Sequence, residues 1–181
     1  MPCPRLDRAN RLGGLPHVQM NSAEFSPCRK YRYELRRTWG DLLDQGKPGF
    51  VAFCMLNPST ADENANDPTI RRCIAFADAW GWKSLVVVNL FAWRSPSPEA
   101  MMKEADPIGP QNDSFLESCA SMTELFVCAW GNDGRHMERA SKTVRHLREG
   151  GCLLHRLGEL TEKHQPRHPL YLKGDLKPVP L

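Results

Sequence analysis

The chain has 181 residues, 41% of them hydrophobic and 25% charged, and a formal net charge of +3. This is one domain's length, enough to bury roughly two thirds of the unfolded surface. The composition is that of an ordinary globular protein and excludes wholesale disorder. No run approaches the ~20 apolar residues of a membrane helix; the longest, residues 84–93, suits a strand.

The first residues are basic but carry no apolar signal-peptide core, so the expected setting is the cytoplasm, away from membranes. The seven cysteines (Cys3, Cys28, Cys54, Cys73, Cys119, Cys128 and Cys152) are odd in number and form no C-x-x-C pair. They read as reduced thiols and core filler, without a zinc signature. Charge is unevenly spread. Residues 1–37 hold eight basic and three acidic side chains, 38–134 six and thirteen, and 135–181 ten and five. Basic ends meeting in space would suit a phosphate backbone; a mixed solvated surface with a basic tail explains the same counts.

Residues 1–28, rich in Pro and Gly, read as an irregular N-terminal extension, and 29–181 as a single domain. In 31–39, Tyr31, Tyr33 and Leu35 alternate with charged residues, the period of a half-buried strand. Residues 50–56 form a continuous apolar run, expected of a strand covered on both faces. Asp67-Pro68 then caps and opens a helix through Ile70, Cys73, Ala77 and Trp80, stopped by Gly81. A second buried strand spans 85–91, a short helix 99–104, a further helix 111–121 and a third buried strand 125–130. Gly131-Asn-Asp-Gly134 leads into a helix of about fifteen residues ending at Gly150-Gly151. A short fourth strand covers 152–155, and the chain after Thr161 is a Pro-rich basic tail. Apolar strands alternating with helices predict an α/β three-layer sandwich around a mainly parallel sheet. Such sheets bind ligands beyond the carboxyl ends of their strands, where polar residues gather here.

Asn57, leaving a buried strand before Pro58, is held extended; it either satisfies its own turn or offers its amide to a water or a heterocycle edge. Asn89 lies inside an apolar strand and must find partners in the backbone or in a ligand. Arg94 suits an anion, an aromatic face or a surface pair. His164 and His168 flank Pro166, so they do not share a helix face as a metal pair would. Asp62, Glu63 and Asp67 near the first loop are candidate general bases, or helix-terminus charges. No nucleotide, hydrolase or dinucleotide motif is present, and no cofactor or metal is indicated.

Tyr31-Arg-Tyr33, Arg37-Thr-Trp39, Met55-Leu-Asn-Pro-Ser-Thr-Ala-Asp62, Asn66-Asp-Pro-Thr69, Val87-Val-Asn-Leu-Phe-Ala92, Pro107-Ile-Gly109 with Asn112-Asp113, Ala129-Trp-Gly131 and His168-Pro-Leu-Tyr171 occur in order. Together they resemble the bacterial and phage family known as domain of unknown function 1643, over about residues 30–173. The order of elements is more distantly similar to the uracil-DNA glycosylase superfamily. There Met55-Leu56-Asn57-Pro58-Ser59 resembles the G-x-N-P-G loop of the mismatch-specific branch. The pair Asn89 and Arg94 resembles the base-reading Asn and the Arg after it. Trp130-Gly131 resembles a Trp-Gly strand end, and His168-Pro169-Leu170 part of the late H-P-S-P-L-S loop. Asn57 stands where the uracil branch has Asp, and Ser59 replaces a Gly.

The resemblance implies a glycosylase-like fold with Asn57 positioning a water and His168 facing the base. Pro58, Ser59, Asn89, Phe91, Arg94, Trp130 and Gly131 would bind substrate, with Phe91 and Trp93 as stacking candidates. The expected function is an N-glycoside hydrolase acting on nucleic acid or nucleotides. The alternatives are a non-catalytic nucleic-acid or modified-base reader and an enzyme of an unrelated metabolite.

Overall fold

The structure is a computed structural model that describes residues 21–39, 46–62 and 64–181. Among these residues seven strands form one sheet: β1 (Ser22–Phe25), β2 (Arg32–Thr38), β3 (Val51–Met55), β4 (Ser84–Asn89), β5 (Leu125–Cys128), β6 (Leu154–Leu157) and β7 (Pro178–Pro180). Their order is β1-β2-β4-β3-β5-β6-β7. The central four strands are parallel, whereas β1, β2 and β7 add antiparallel edges. The sheet is therefore mixed, which corrects the expectation of a mainly parallel one.

Among the described residues four α-helices pack on it: α1 (Pro68–Ala79), α2 (Pro98–Met102), α3 (Asn112–Met122) and α4 (Arg139–Glu149). Strand alternation divides the core. Val51, Phe53 and Val87 meet Ile70, Cys73 and Phe76 of α1 on one face. Cys54, Val86 and Val88 meet Met101, Leu116 and Leu147 of α2, α3 and α4 on the other. Strands covered on both faces explain the unbroken apolar runs at β3 and β4. Helix α1 begins as its residues dictate: Asp67 Oδ1 accepts from the Ile70 N–H at 2.8 Å with Pro68 in the first turn.

Five elements differ from the sequence reading. Ser22–Phe25, inside the segment expected to be irregular, is an edge strand paired with β2; residues 1–20 lie outside the described residues. The single helix expected from Gly134 to Gly150 is a 3-10 segment, Asn132–Glu138, broken from α4 by positive φ at Met137 and Glu138. Strand β6 starts two residues after the expected 152. Beyond it the Pro-rich tail returns as β7, whose prolines fit an edge strand.

The fifth difference lies in β2. Glu24 faces Glu34 but Phe25 faces Arg32, so β2 takes up an extra residue at Tyr33. Leu35 still packs toward α1, while Tyr33 turns to the opposite side and stacks on Phe115 of α3 at 5.0 Å. Arg32 is thereby rotated onto the α1 side, where its Nη1 donates to the Ala61 carbonyl at 2.7 Å. A bulge re-aims side chains in this way. Reading the segment as a half-buried strand with charges outward therefore fails: Arg32 and Arg37 are buried, each 2% exposed.

Candidate functional site

The chain leaves β3 toward β4 on one side and leaves β5 toward β6 on the other, making the gap between β3 and β5 the switch point of the sheet. Open α/β sheets bind ligands at that point, outside the carboxyl ends. A cavity of about 440 Å³ lies there, within the range of about 300–1,000 Å³ usual for small-molecule sites.

The first wall is the loop after β3. The pairing of β3 with β4 continues past their ends: Leu90 N–H donates to the Met55 carbonyl, Phe91 to Leu56 and Ser95 to Pro58, each at 2.9 Å. Two buried guanidiniums hold the rest of the loop from the β2 side. Arg37 Nε donates to Asn66 Oδ1 at 2.6 Å and its Nη2 to the Asp62 and Ala65 carbonyls. Asn57 lines the cavity. Its Nδ2 donates to the carbonyls of Pro58 (3.1 Å) and Ser95 (2.8 Å). Two carbonyl partners fix which atom is nitrogen, so the acceptor Oδ1 is left for another group.

Asn89 ends β4 and forms the floor. It is 1% exposed, and neither Oδ1 nor Nδ2 has a hydrogen-bond partner. The neighbouring buried amide is half satisfied: Asn112 Nδ2 donates to the Asn89 and Leu90 carbonyls, both at 2.9 Å, while its Oδ1 has no partner. Arg139 Nε also donates to the Leu90 carbonyl, at 2.8 Å. The backbone that carries Asn89 is thus anchored while its side chain stays unbonded. Each such buried group costs about 1–3 kcal/mol, a cost that a ligand bound in the cavity would offset.

The remaining walls are Trp130, Gly131, Asn132 and Asp133 after β5, the start of α1, and the tail residues His168, Leu170 and Tyr171. Trp130 Nε1 donates to Gln165 Oε1 at 3.0 Å and Gly131 N–H to the Pro166 carbonyl at 2.9 Å, which draws the tail over the opening. Trp80 Nε1 of α1 holds the Leu176 carbonyl at 3.0 Å, and Arg72 the Leu172 carbonyl. Gly134 leaves room for the indole; a Cβ there would stand 2.2 Å from Trp130 Cδ1. His168 Nδ1 accepts from the Leu170 N–H at 3.3 Å. Burial lowers the pKa of His168 against the opposing pull of Asp67. A neutral ring accepting at Nδ1 carries its proton on Nε2, a donor.

Arg32 lines the same cavity. Burial lowers its pKa to about 10, partly offset by Asp67, so it is cationic at neutral pH. Of the three carboxylates considered as general bases, Asp67 lines the cavity and Asp62 does not. Asp62 Oδ1 is spent on the N–H groups of Asn64 and Ala65, which hold its carboxyl below the usual range. Glu63 lies outside the described residues.

The structure therefore brings Asn57, Ser59, Asn89, Trp130, Gly131 and His168 to one cavity. It does not bring Phe91, Arg94 or the Pro58 side chain there. Phe91 is fully buried in the core on the α3 face. Arg94 stacks on Phe25 at 4.7 Å and donates to the Arg29 carbonyl. Trp93 packs edge-on to Tyr31 at 5.3 Å. Arg32 and Thr69 had no reading as site residues, and only the local bulge reveals Arg32. Burial pushes the Cys54 thiol up to about 12 and raises those of Cys73, Cys119 and Cys128. None of these four lines the cavity. Among the described residues no cluster of three His, Cys, Asp or Glu side chains is placed to hold a metal, and no helix is long and apolar enough to cross a membrane.

A family model described as protein of unknown function, DUF1643, matches residues 32–170. The chain belongs to the DUF1643 family. The matched span opens at Arg32 and closes at Leu170, both on the cavity wall. No curated protein and no solved structure matches the chain.

Proposed function

We propose that the cavity binds a nucleobase or nucleotide and that the protein is an N-glycoside hydrolase related in mechanism to DNA glycosylases. The observation that carries this reading is the buried, unpartnered amide of Asn89. A side-chain amide offers a donor and an acceptor side by side, complementary to the edge of a base. The Nε2–H of His168 supplies a further donor to a base oxygen or to the anion that leaves.

In the hydrolytic step the oxygen of a water bonds to the sugar carbon while the carbon–nitrogen bond breaks. The electron pair of that bond leaves with the base. Asn57 Oδ1 accepts one hydrogen bond from the water and orients it. An amide oxygen is too weak a base to take the proton, which passes to the Asp67 carboxylate. That weakness also gives the second reading its support: a pocket with an amide where a strong base would stand suits a protein that reads a base without cleaving it.

The test is base release, read by mass spectrometry, from oligonucleotides and nucleotides carrying normal, deaminated and hypermodified bases. Wild type should release one base class. Asn57→Ala should bind it and fail to release it, whereas Asn89→Ala should lose binding. Binding without release by the wild type identifies the reader; neither binding nor release contradicts both.

A further inference from the structure

Arg32 is a buried charge without an ion-pair partner; the carboxylates of Asp67 and Asp62 act on it only at longer range. It is 2% exposed, its guanidinium makes a single hydrogen bond, to the Ala61 carbonyl, and its Nε is buried with no partner. Among the described residues no carboxylate comes within ion-pair distance of it. The opposite charge that influences it most, Asp67, uses Oδ1 to cap α1. A buried guanidinium left unpaired is costly, and here the sequence does more than tolerate it. The bulge at Tyr33 turns Arg32 away from the α3 face, where regular alternation would have aimed it beside Glu34. The N-terminus of α1 is no substitute as an anion site, because Asp67 already occupies it.

We infer that the ligand brings an anionic group into the cavity against Arg32, and that this group is the phosphate of a free nucleoside monophosphate. The inference rests on the base-binding reading above. Arg32 lines the cavity and is otherwise enclosed by protein, so a ligand meets it from the cavity side. The backbone phosphates of a strand remain outside a pocket that admits one base, whereas the terminal phosphate of a mononucleotide enters with it. The volume of about 440 Å³ is of the size that takes a small molecule such as a single nucleotide. The two polar ends of such a ligand then meet different chemistry: Asn89 and His168 take the base, and the cation takes the phosphate. Arginine matches a phosphate with paired donors where lysine offers a point charge.

Calorimetric titration of the full chain decides the matter, using nucleosides with normal and deaminated bases, their 5′-monophosphates, inorganic phosphate, and single-stranded oligonucleotides containing the same bases. One monophosphate should bind about tenfold or more tighter than its nucleoside, the scale of a charge-assisted hydrogen bond. The advantage should vanish in Arg32→Gln and survive in part in Arg32→Lys. If Arg32→Gln does not fold, the wild-type comparison still decides. Equal binding of nucleoside and monophosphate overturns the phosphate assignment and leaves the base pocket standing. Binding of the oligonucleotides alone overturns it in favour of a polymer. Binding of inorganic phosphate without any nucleoside or nucleotide, or of nothing at all, overturns both readings.

Discussion

The two ends of the sheet both carry hollows, and the larger is the less informative. Beside the amino ends of β5 and β6, a groove of about 1280 Å³ runs between α3 and α4, lined by Glu117, Glu149, His146 and Cys152. No buried side-chain atom of its lining lacks a hydrogen-bond partner, and His146 Nε2 meets Glu117 Oε1 at 2.7 Å. At the carboxyl ends the cavity has about a third of that volume. Yet it holds the orphaned amide of Asn89 and the orphaned Nε of Arg32. Volume records where elements fail to meet. Orphaned atoms occur elsewhere in the fold, but among the described residues only Asn89 leaves both polar atoms of its side chain unsatisfied, and it does so on a cavity wall.

Acidification should separate the two ends first. The folded-state pKa of His168 lies below its ordinary value, so the stability it contributes is complete above about pH 6.5 and is lost as pH falls through the lowered folded pKa. Protonated Nδ1 can no longer accept from Leu170, and the turn holding Leu170 and Tyr171 opens. Thermal stability should drop by about 1 kcal/mol, the scale of a lost cap, and ligand affinity should fall with it. His168→Asn, which keeps an acceptor and does not titrate, should flatten this dependence; an unchanged profile would remove His168 from the account. A smaller effect is expected in the groove. His146→Ala breaks an exposed pair and should change stability by less than about 1 kcal/mol, with ligand binding untouched. Loss of binding there would move the functional site to the other end.

The fold was legible where one local rule governs. Continuous apolar runs announced β3, β4 and β5, and Asp67-Pro68 announced α1. It was illegible where a single residue changes the geometry. The bulge at Tyr33 reverses which side chains of β2 face α1, and positive φ at Met137 and Glu138 splits the helix expected after Gly134. Neither is written in hydrophobic period. The site divides in the same way. Asn57 and Asn89 stand out as polar residues ending apolar strands, and His168 as part of a loop motif; all three line the cavity. Phe91 and Arg94 follow the same strand and invite the same reading. The chain bends at Leu90, however, sending Phe91 into the core and Arg94 onto Phe25. Arg32 hid inside an alternation that the bulge annuls.

Two buried asparagines touching one stretch of backbone supply the most direct test. Asn112 bonds the carbonyls at the end of β4, whereas the Asn89 side chain bonds nothing in the protein. Denaturant unfolding of wild type, Asn89→Leu and Asn112→Leu compares them. Removing the wholly unsatisfied amide of Asn89 should stabilise the fold by about 1–3 kcal/mol, and removing that of Asn112, whose Nδ2 makes two bonds, should destabilise it, by less because its unbonded Oδ1 goes too. Opposite signs, with nucleotide binding lost in Asn89→Leu, are the expected result. Equal destabilisation by the two replacements would make Asn89 an ordinary structural residue and contradict the account.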